Sequence, residues 1–471
     1  MFNEMYLGDD VRPEYKIIAD WVAREGVDAL LAKRAEAEAL FRRVGITFAV
    51  YGEGGDPERL IPFDMIPRVF GAQEWRRIEA GCIQRTRALN AFLADVYGAR
   101  EILKAGIVPA ELVTGNSAYE PVMEGYTPPL GVFSHICGVD LVRVSPDETY
   151  VLEDNCRTPS GVSYLLQNRE VMERMFPPLF ASGQIRPVGQ YGDMLAEAMA
   201  EVAPPNCPGE PTLALMTPGH FNSAYYEHSF LADLMGIELV EGQDLFVDAD
   251  VLYMRTTRGP ERVDVLYRRI DDAFLDPDVF RADSLLGVSG IIAAMKAGNL
   301  TVVNAPGSGV ADDKAVYTYV PDMVRFYLGE EPILPNVPTW KCGKAEDLAH
   351  VLDNIDTLVV KEVHGSGGYG MLIGPTSTKA ECAAYAERLK AAPHEFIAQP
   401  TLALSTSPVL TESGLVPRHV DLRPYVISGR ETRLIPGGLT RVALREGSLV
   451  VNSSQGGGVK DTWVLEDGGS V

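Results

Sequence analysis

Cysteine is scarce in this chain: six residues in 471 (Cys82, Cys137, Cys156, Cys207, Cys342 and Cys382), with no CxxC pair among them. That usage speaks against a zinc ribbon or a disulfide-stapled scaffold and fits reduced thiols in a cytoplasmic enzyme. Positive charge is also in short supply. Lys and Arg number 42 against 65 Asp and Glu, for a net charge of -23, which disfavours a nucleic-acid backbone or an anionic membrane as partner. Any phosphate-bearing ligand must then be held by local Lys, Arg, backbone amides or metal, against the overall field. No long apolar run exists: residues 285–295, the longest near-apolar stretch, fall well short of the roughly 20 residues that cross a bilayer. The opening MFNEMYLGDD has neither a basic region nor an apolar segment, which argues against a secretory leader. His220, His228 and His364 show no metal-ligand spacing, and Ser223 has no partners suggesting a hydrolase triad. What remains is ordinary globular material, 46% hydrophobic and 23% charged, long enough for about three domains of roughly 150 residues.

Residues 14–43 and 72–97 carry helical periodicity. In the second, Trp75, Ile78, Cys82, Leu89, Leu93 and Val96 step by three, four or seven, and Gly98 supplies a stop. Residues 61–67 between them read as an extended connector. Strands are expected at 139–144 and 150–152 around a turn at 145–148. Four prolines within 203–211 mark a boundary. Beyond it, strands at 212–216, 237–240, 251–254, 263–267 and 300–303 alternate with a helix ending near Gly236 and another over 283–297, the pattern of an open α/β sheet. Further strands are expected at 357–361, 371–373 and 395–399. Thr378 with Glu381 forms a capping box for a helix reaching Ala391, and 420–465 is β-rich.

Two short segments carry chemistry. Glu153-Asp154-Asn155-Cys156-Arg157 crowds two carboxylates, an amide and a guanidinium at a strand end, before the turn Pro159-Ser160-Gly161. Such a cluster is costly to bury unless something occupies the space between the charges. A surface hairpin with a Glu–Arg salt bridge is the alternative. Residues 359–370 contain G-x-G-x-x-G through Gly365, Gly367 and Gly370, with Gly368 beside them. A dinucleotide fingerprint needs a helix after the glycines, whereas Met371 to Pro375 reads as a strand and a stop, so this loop is the tip of a β-hairpin. The kinase glycine loop is excluded because Lys361 precedes the glycines and no DFG or HRD motif is present. A strand lysine followed by a flap of backbone amides suits a triphosphate; a flexible turn with a surface lysine is the other reading.

Lys361, the glycine loop and the charged stretch together resemble the ATP-grasp superfamily. Residues 395–399 resemble its interdomain hinge, which includes Gln399. Asp421-Leu422-Arg423, then Arg441-Val442-Ala443, then Asn452 and the glycines to Gly458 resemble the later half of glutathione synthetase-like members. In those enzymes the metal segment, an Asp, a hairpin, then Glu-x-Asn, comes late. Here it comes early, as Asp140, Glu153 and Asn155. The order is rotated, as in circularly permuted ATP-grasp proteins described as similar to glutathionylspermidine synthase. The resemblance implies an α/β (α+β) fold, an ATP-grasp core with permuted segments plus an N-terminal helical region. It divides as 1–110 mainly helical, 111–203 the permuted metal-binding segment, 204–310 an open α/β domain and 311–471 the ATP-binding subdomain with the rest of the core.

The roles implied follow residue by residue. Glu153 and Asn155, two apart on a strand, share a face; with Asp140 on the adjacent strand they offer oxygen ligands suited to Mg²⁺. Arg157 can hold a phosphoryl or carboxylate group. Lys361 and Lys314 are the nucleotide lysines, with the amides of Gly365, Gly367, Gly368 and Gly370 over the phosphates. Arg423 and Arg441 stabilise charge on a transferring phosphoryl group, or instead pair with Asp421 or Glu431. Asn452 and Lys460, flanking a glycine-rich loop, are secondary site residues. The implied cofactors are ATP and Mg²⁺. The implied reaction joins a small-molecule or peptide carboxylate to an amine, with a phosphotransferase and a non-catalytic ATP-binding module as alternatives.

Overall fold

In a computed structural model, which describes residues 2–44, 47–49, 58–181, 183–220, 222–364, 370–445, 447–448, 451 and 457–467, the strand Ile136–Arg143 pairs with strands from the far end of the sequence. Gly414–Arg423, with Leu422 opposite Leu141, and Tyr425–Ser428, with Tyr425 opposite Gly138, follow one another in one register along one edge of it, and Thr149–Asn155 takes the other edge. These belong to a nine-stranded sheet running Thr432–Leu434, Tyr425–Ser428, Ile136–Arg143, Gly414–Arg423, Leu439–Val442, Gly458–Val464 and Phe63–Phe70. Thr149–Asn155 pairs with Ile136–Arg143, and Thr406–Thr411 with Gly414–Arg423. An early hairpin completing a late sheet is the rotated order expected from the sequence. The segment expected as a connector, 61–67, is largely part of Phe63–Phe70, every residue of which is buried.

The sheet is apolar on both faces because strand side chains alternate. Cys137, Val139, Leu141 and Val426 enter one core with the helix Ala72–Val96; Ile136, Tyr425, Ile427 and Trp463 enter another with the helix Val162–Met175. The helix Ala72–Val96 forms as its periodicity predicts, burying Trp75, Ile78, Cys82, Leu89, Leu93 and Val96, each large side chain contributing about 1.5–3 kcal/mol. The N-terminal helical stretch is divided at Gly26 (φ 79°) into Lys16–Glu25 and Val27–Val44.

The α/β unit has a four-stranded parallel sheet in the order Thr301–Val303, Val265–Arg268, Leu213–Met216, Glu238–Val240. Residues 251–254 are not part of it: Val251–Thr256 sits in a separate antiparallel sheet with Leu245–Asp248 and Gly259–Arg262. The helix expected over 283–297 shortens to Ile291–Lys296. Gly287 packs where a Cβ would lie 2.0 Å from the Phe274 carbonyl oxygen, and the Asp276 carboxylate accepts from Gly290 N and Ile292 N, so local backbone capture replaces helix. A smaller sheet, in the order Trp340–Lys341, Phe396–Pro400, Leu358–Glu362, Leu372–Ile373, is backed by the helices Ala345–Asp353 and Lys379–Ala391. The expected capping box is present there: Glu381 N donates to Thr378 Oγ1 and Thr378 N to Glu381 Oε2.

Candidate active site

A cavity of about 660 Å³ is lined by residues of the large sheet, the small sheet and the loops after the parallel strands. On its floor is Asp140, fully buried. Arg423 forks onto this carboxylate through Nε and Nη2, the latter at 2.8 Å, and Arg441 Nη2 adds a bond of 2.6 Å while its Nε holds Asp421 at 3.0 Å. Burial alone would raise the Asp140 carboxyl, but the Arg423 and Arg441 guanidiniums override it and hold Asp140 well below the ordinary carboxylate range. Asp421, sharing its guanidinium, is raised by burial. The arginines thus arrive fixed by carboxylates, the arrangement that keeps long cationic side chains aimed.

Glu153 is held differently. Its nearest cations, Lys314 Nζ and Arg423 Nη2, are each 3.7 Å away, beyond hydrogen-bond reach, and its side chain is 27% exposed. Asn155 turns its amide nitrogen toward Gly138 O (3.3 Å) and Asp140 Oδ1 (3.5 Å). Among the described residues, no group of three or more His, Cys, Asp or Glu side chains is arranged to hold a metal ion. The donor set still suits Mg²⁺, which commonly takes one or two protein oxygens and completes its octahedron with water and phosphate. Glu153 and the Asn155 amide oxygen fit that role. Asp140 fits it less well than the sequence suggested, because both of its oxygens already accept from guanidiniums.

On the opposite wall, Lys361 projects from Leu358–Glu362 and donates to Gln399 Oε1 at 2.9 Å, and Gln399 Nε2 reaches Thr339 Oγ1 at 3.1 Å. Desolvation lowers Lys361 to about 8, opposed by Glu153 and reinforced by Lys314. Arg157 bends over Gly309, where a Cβ would come within 3.2 Å of its Cδ. Its Nε is buried and has no hydrogen-bond partner among the described residues.

Several positioning residues escaped the sequence reading. Asn304 clamps the charged hairpin to the α/β unit, accepting from His135 N and Ile136 N and donating to Ile136 O and Cys156 O at 2.6–2.9 Å. Glu227 accepts from Gly161 N, Ser163 N and Ser163 Oγ, and Arg269 joins Glu227 to Ser160 Oγ and Pro159 O. That fixes the turn whose Ser160 carbonyl accepts from Arg423 and from the Tyr425 hydroxyl. Asp313 caps the short helix Lys314–Tyr317 and contacts His364 Nδ1 at 3.0 Å, which raises His364. All these contacts are long-range except the cap, for which Asp313 before a helix was the available signal.

Asp140, Glu153, Asn155, Arg157, Lys314, Lys361, Gln399, Arg423 and Arg441 all line this cavity. Gly365, Gly367, Gly368 and Asn452 lie outside the described residues. Gly370 (φ 71°) is where the chain rejoins the described part, its carbonyl accepting from Tyr385 OH at 2.6 Å. Lys460 is a correction. Its ammonium is fully buried away from the cavity, 2.7 Å from Asp64 and bonded to Ile66 O. It is paired opposite Thr440, so strand alternation turns it to the face opposite Arg441.

The chain matches, over residues 67–443, the family described as circularly permuted ATP-grasp type 2. It belongs to that family. A glutathione synthetase-like effector from Globodera pallida, in its apo form, shares the fold, with a TM-score of 0.60 at 12% identity over 93% of this chain and 98% of that one. By sequence, an uncharacterized Synechocystis protein is 50% identical over 97% of this chain and 95% of its own length. An uncharacterized Mycobacterium tuberculosis protein is 50% identical over 98% of this chain and 84% of its own length. A Frankia alni protein named as a putative glutamate–cysteine ligase is 43% identical over 96% of this chain, which spans 52% of it. No helix among the described residues is long and apolar enough to cross a membrane.

Proposed function

We propose that this protein is an ATP- and Mg²⁺-dependent carboxylate–amine ligase that works through an acyl phosphate. The observation that carries the reading is the convergence of five cationic side chains, Arg157, Lys314, Lys361, Arg423 and Arg441, on one cavity of a chain whose net charge is -23. Seven carboxylates share the lining, and Arg423 and Arg441 are bonded to two of them; Lys361, bonded to the neutral Gln399 amide, is the cation offered to a polyanionic ligand. Family membership supports ATP as that ligand.

Lys361 and Lys314 take the phosphates, and Arg423 and Arg441 face the charge that develops as the γ-phosphoryl group moves to a substrate carboxylate. Glu153 and Asn155 would hold Mg²⁺, which supplies charge neutralisation at the phosphate oxygens. Arg157 holds the carboxylate substrate. The amine nitrogen then forms a bond to the acyl carbon, the bond from that carbon to the phosphate oxygen breaks, and phosphate leaves with the electron pair and the amine's proton.

The test is ADP release from ATP and Mg²⁺ with each of the twenty amino acids as carboxylate, hydroxylamine being present to trap the acyl phosphate. Glutamate, followed by cysteine as amine, heads the panel because the Frankia relative bears that name. Carboxylate-dependent ADP release matched by hydroxamate is expected. ADP release with a stable phosphorylated product and no hydroxamate indicates a phosphotransferase; ATP binding without ADP release indicates a non-catalytic module.

A further inference from the structure

Beside Arg157 stand two carboxylates, Asp312 of the cavity wall and Asp271. The Arg157 guanidinium is 3.4 Å from Asp271 through Nη1 and 3.9 Å from Asp312 through Nε, so one cation serves two carboxylates and hydrogen-bonds closely to neither. The other acids nearby are taken: Asp154 by Arg85, Asp272 by Arg268, and Asp313 by its helix cap and His364. Asp312 lines the cavity with its side chain 27% exposed. One of its oxygens accepts from Cys156 N, at the end of the strand that carries Glu153 and Asn155, which sets it next to the proposed reaction centre.

We propose, on the ligase reading above, that Asp312 seats the ammonium group of the incoming amine substrate, beside the carboxylate held by Arg157. An amine ligase must bring a cation to an acyl phosphate, and Asp312 is a carboxylate of the cavity wall whose guanidinium neighbour stands off at 3.9 Å. Burial raises the Asp312 carboxyl to about 7, against the lowering effects of the Cys156 amide and the Arg157 charge. An arriving ammonium supplies the positive charge the carboxylate lacks, and it releases one proton to solvent water before its nitrogen lone pair attacks the acyl carbon. The amine is therefore cationic in solution, an amino acid or alkylamine, and the site discriminates against neutral nucleophiles of the same size.

The experiment compares wild type with Asp312→Asn and Asp312→Glu, using two nucleophiles. Hydroxylamine is largely uncharged at neutral pH. The other is the amino acid, offered as amine, that gives the highest ADP release with wild type. Asn keeps the acceptor for Cys156 N and removes the charge. The expected result is a KM for the amino acid raised about tenfold or more in Asp312→Asn, the loss of one charged contact, with partial recovery in Asp312→Glu. Hydroxamate formation and the KM for ATP stay at wild-type values. An unchanged amino-acid KM overturns the proposal. So does an equal loss with hydroxylamine, which identifies Asp312 as a brace for the strand end. If wild type yields no hydroxamate and no ADP with any carboxylate, the ligase reading itself fails and this proposal with it.

Discussion

Glu153 and Asp154 are adjacent acids on one strand, yet they live in different regimes. Asp154 is buried and clasped by Arg85 in a two-pronged pair at 2.6 and 2.7 Å, with Asn336 completing the guanidinium's bonds. Glu153, one residue back, meets cations only at 3.7 Å and faces a cavity. The first carboxylate is satisfied by the fold. The second is left under-satisfied at an open space, which is how a residue reserved for a ligand differs from one that holds structure.

The sharpest way to break this contrast is Glu153→Gln. Turnover should fall by about 10²–10³, the size of one lost preorganised electrostatic contact, while the thermal unfolding midpoint barely moves; a folded variant with wild-type turnover sinks the assignment. Asp154→Asn should do the reverse. Leaving Arg85 buried without its counter-charge costs about 3 kcal/mol of stability or more, read by denaturant unfolding, with turnover within a few-fold at temperatures where the protein is folded. Lys460→Met extends the comparison to a residue that sequence placed in the site. Asp64 loses its buried partner, so a stability loss of about 3 kcal/mol is expected, without a change in the KM for ATP. The smallest effect concerns Lys361. In the free enzyme its charge is present below about pH 8 and lost above it, so the KM for ATP should climb as pH rises through 8, reaching about tenfold near pH 9. Lys361→Arg keeps its charge and should flatten that climb.

The parts of the fold legible in the sequence were those written in local periodicity or local caps: the helix Ala72–Val96, the Thr378–Glu381 box, and the alternation that puts Glu153 and Asn155 together and sends Asp154 to Arg85. Family resemblance supplied the rotated order. What stayed hidden depends on distant partners. Nothing near Asn304 announces that it will bind backbone groups of 135, 136 and 156, nor does Glu227 signal that it will cap a helix start 64 residues upstream. Lys460 misled because closeness to a glycine-rich loop says nothing about which face of a strand a side chain leaves from. The 283–297 helix misled because its apolar residues were periodic, while Gly287 and Gly290 and the Asp276 carboxylate dictated another backbone.

The pairing of Ile136–Arg143 with Gly414–Arg423 and Tyr425–Ser428 has a consequence in time. On the ribosome, Asp140 emerges 283 residues before Arg423. At about 5–20 residues per second that is roughly 15–55 s of synthesis. Throughout it a strand destined for complete burial has its hairpin mate on one side and an open edge on the other, and a bare edge of that kind invites pairing with a second nascent chain. The permuted order thus leaves an interior strand waiting for its second neighbour, and Phe63–Phe70 waits longer still for Gly458–Val464. Yield should therefore respond to translation speed and to chaperone supply more steeply than the stability of the finished protein would suggest.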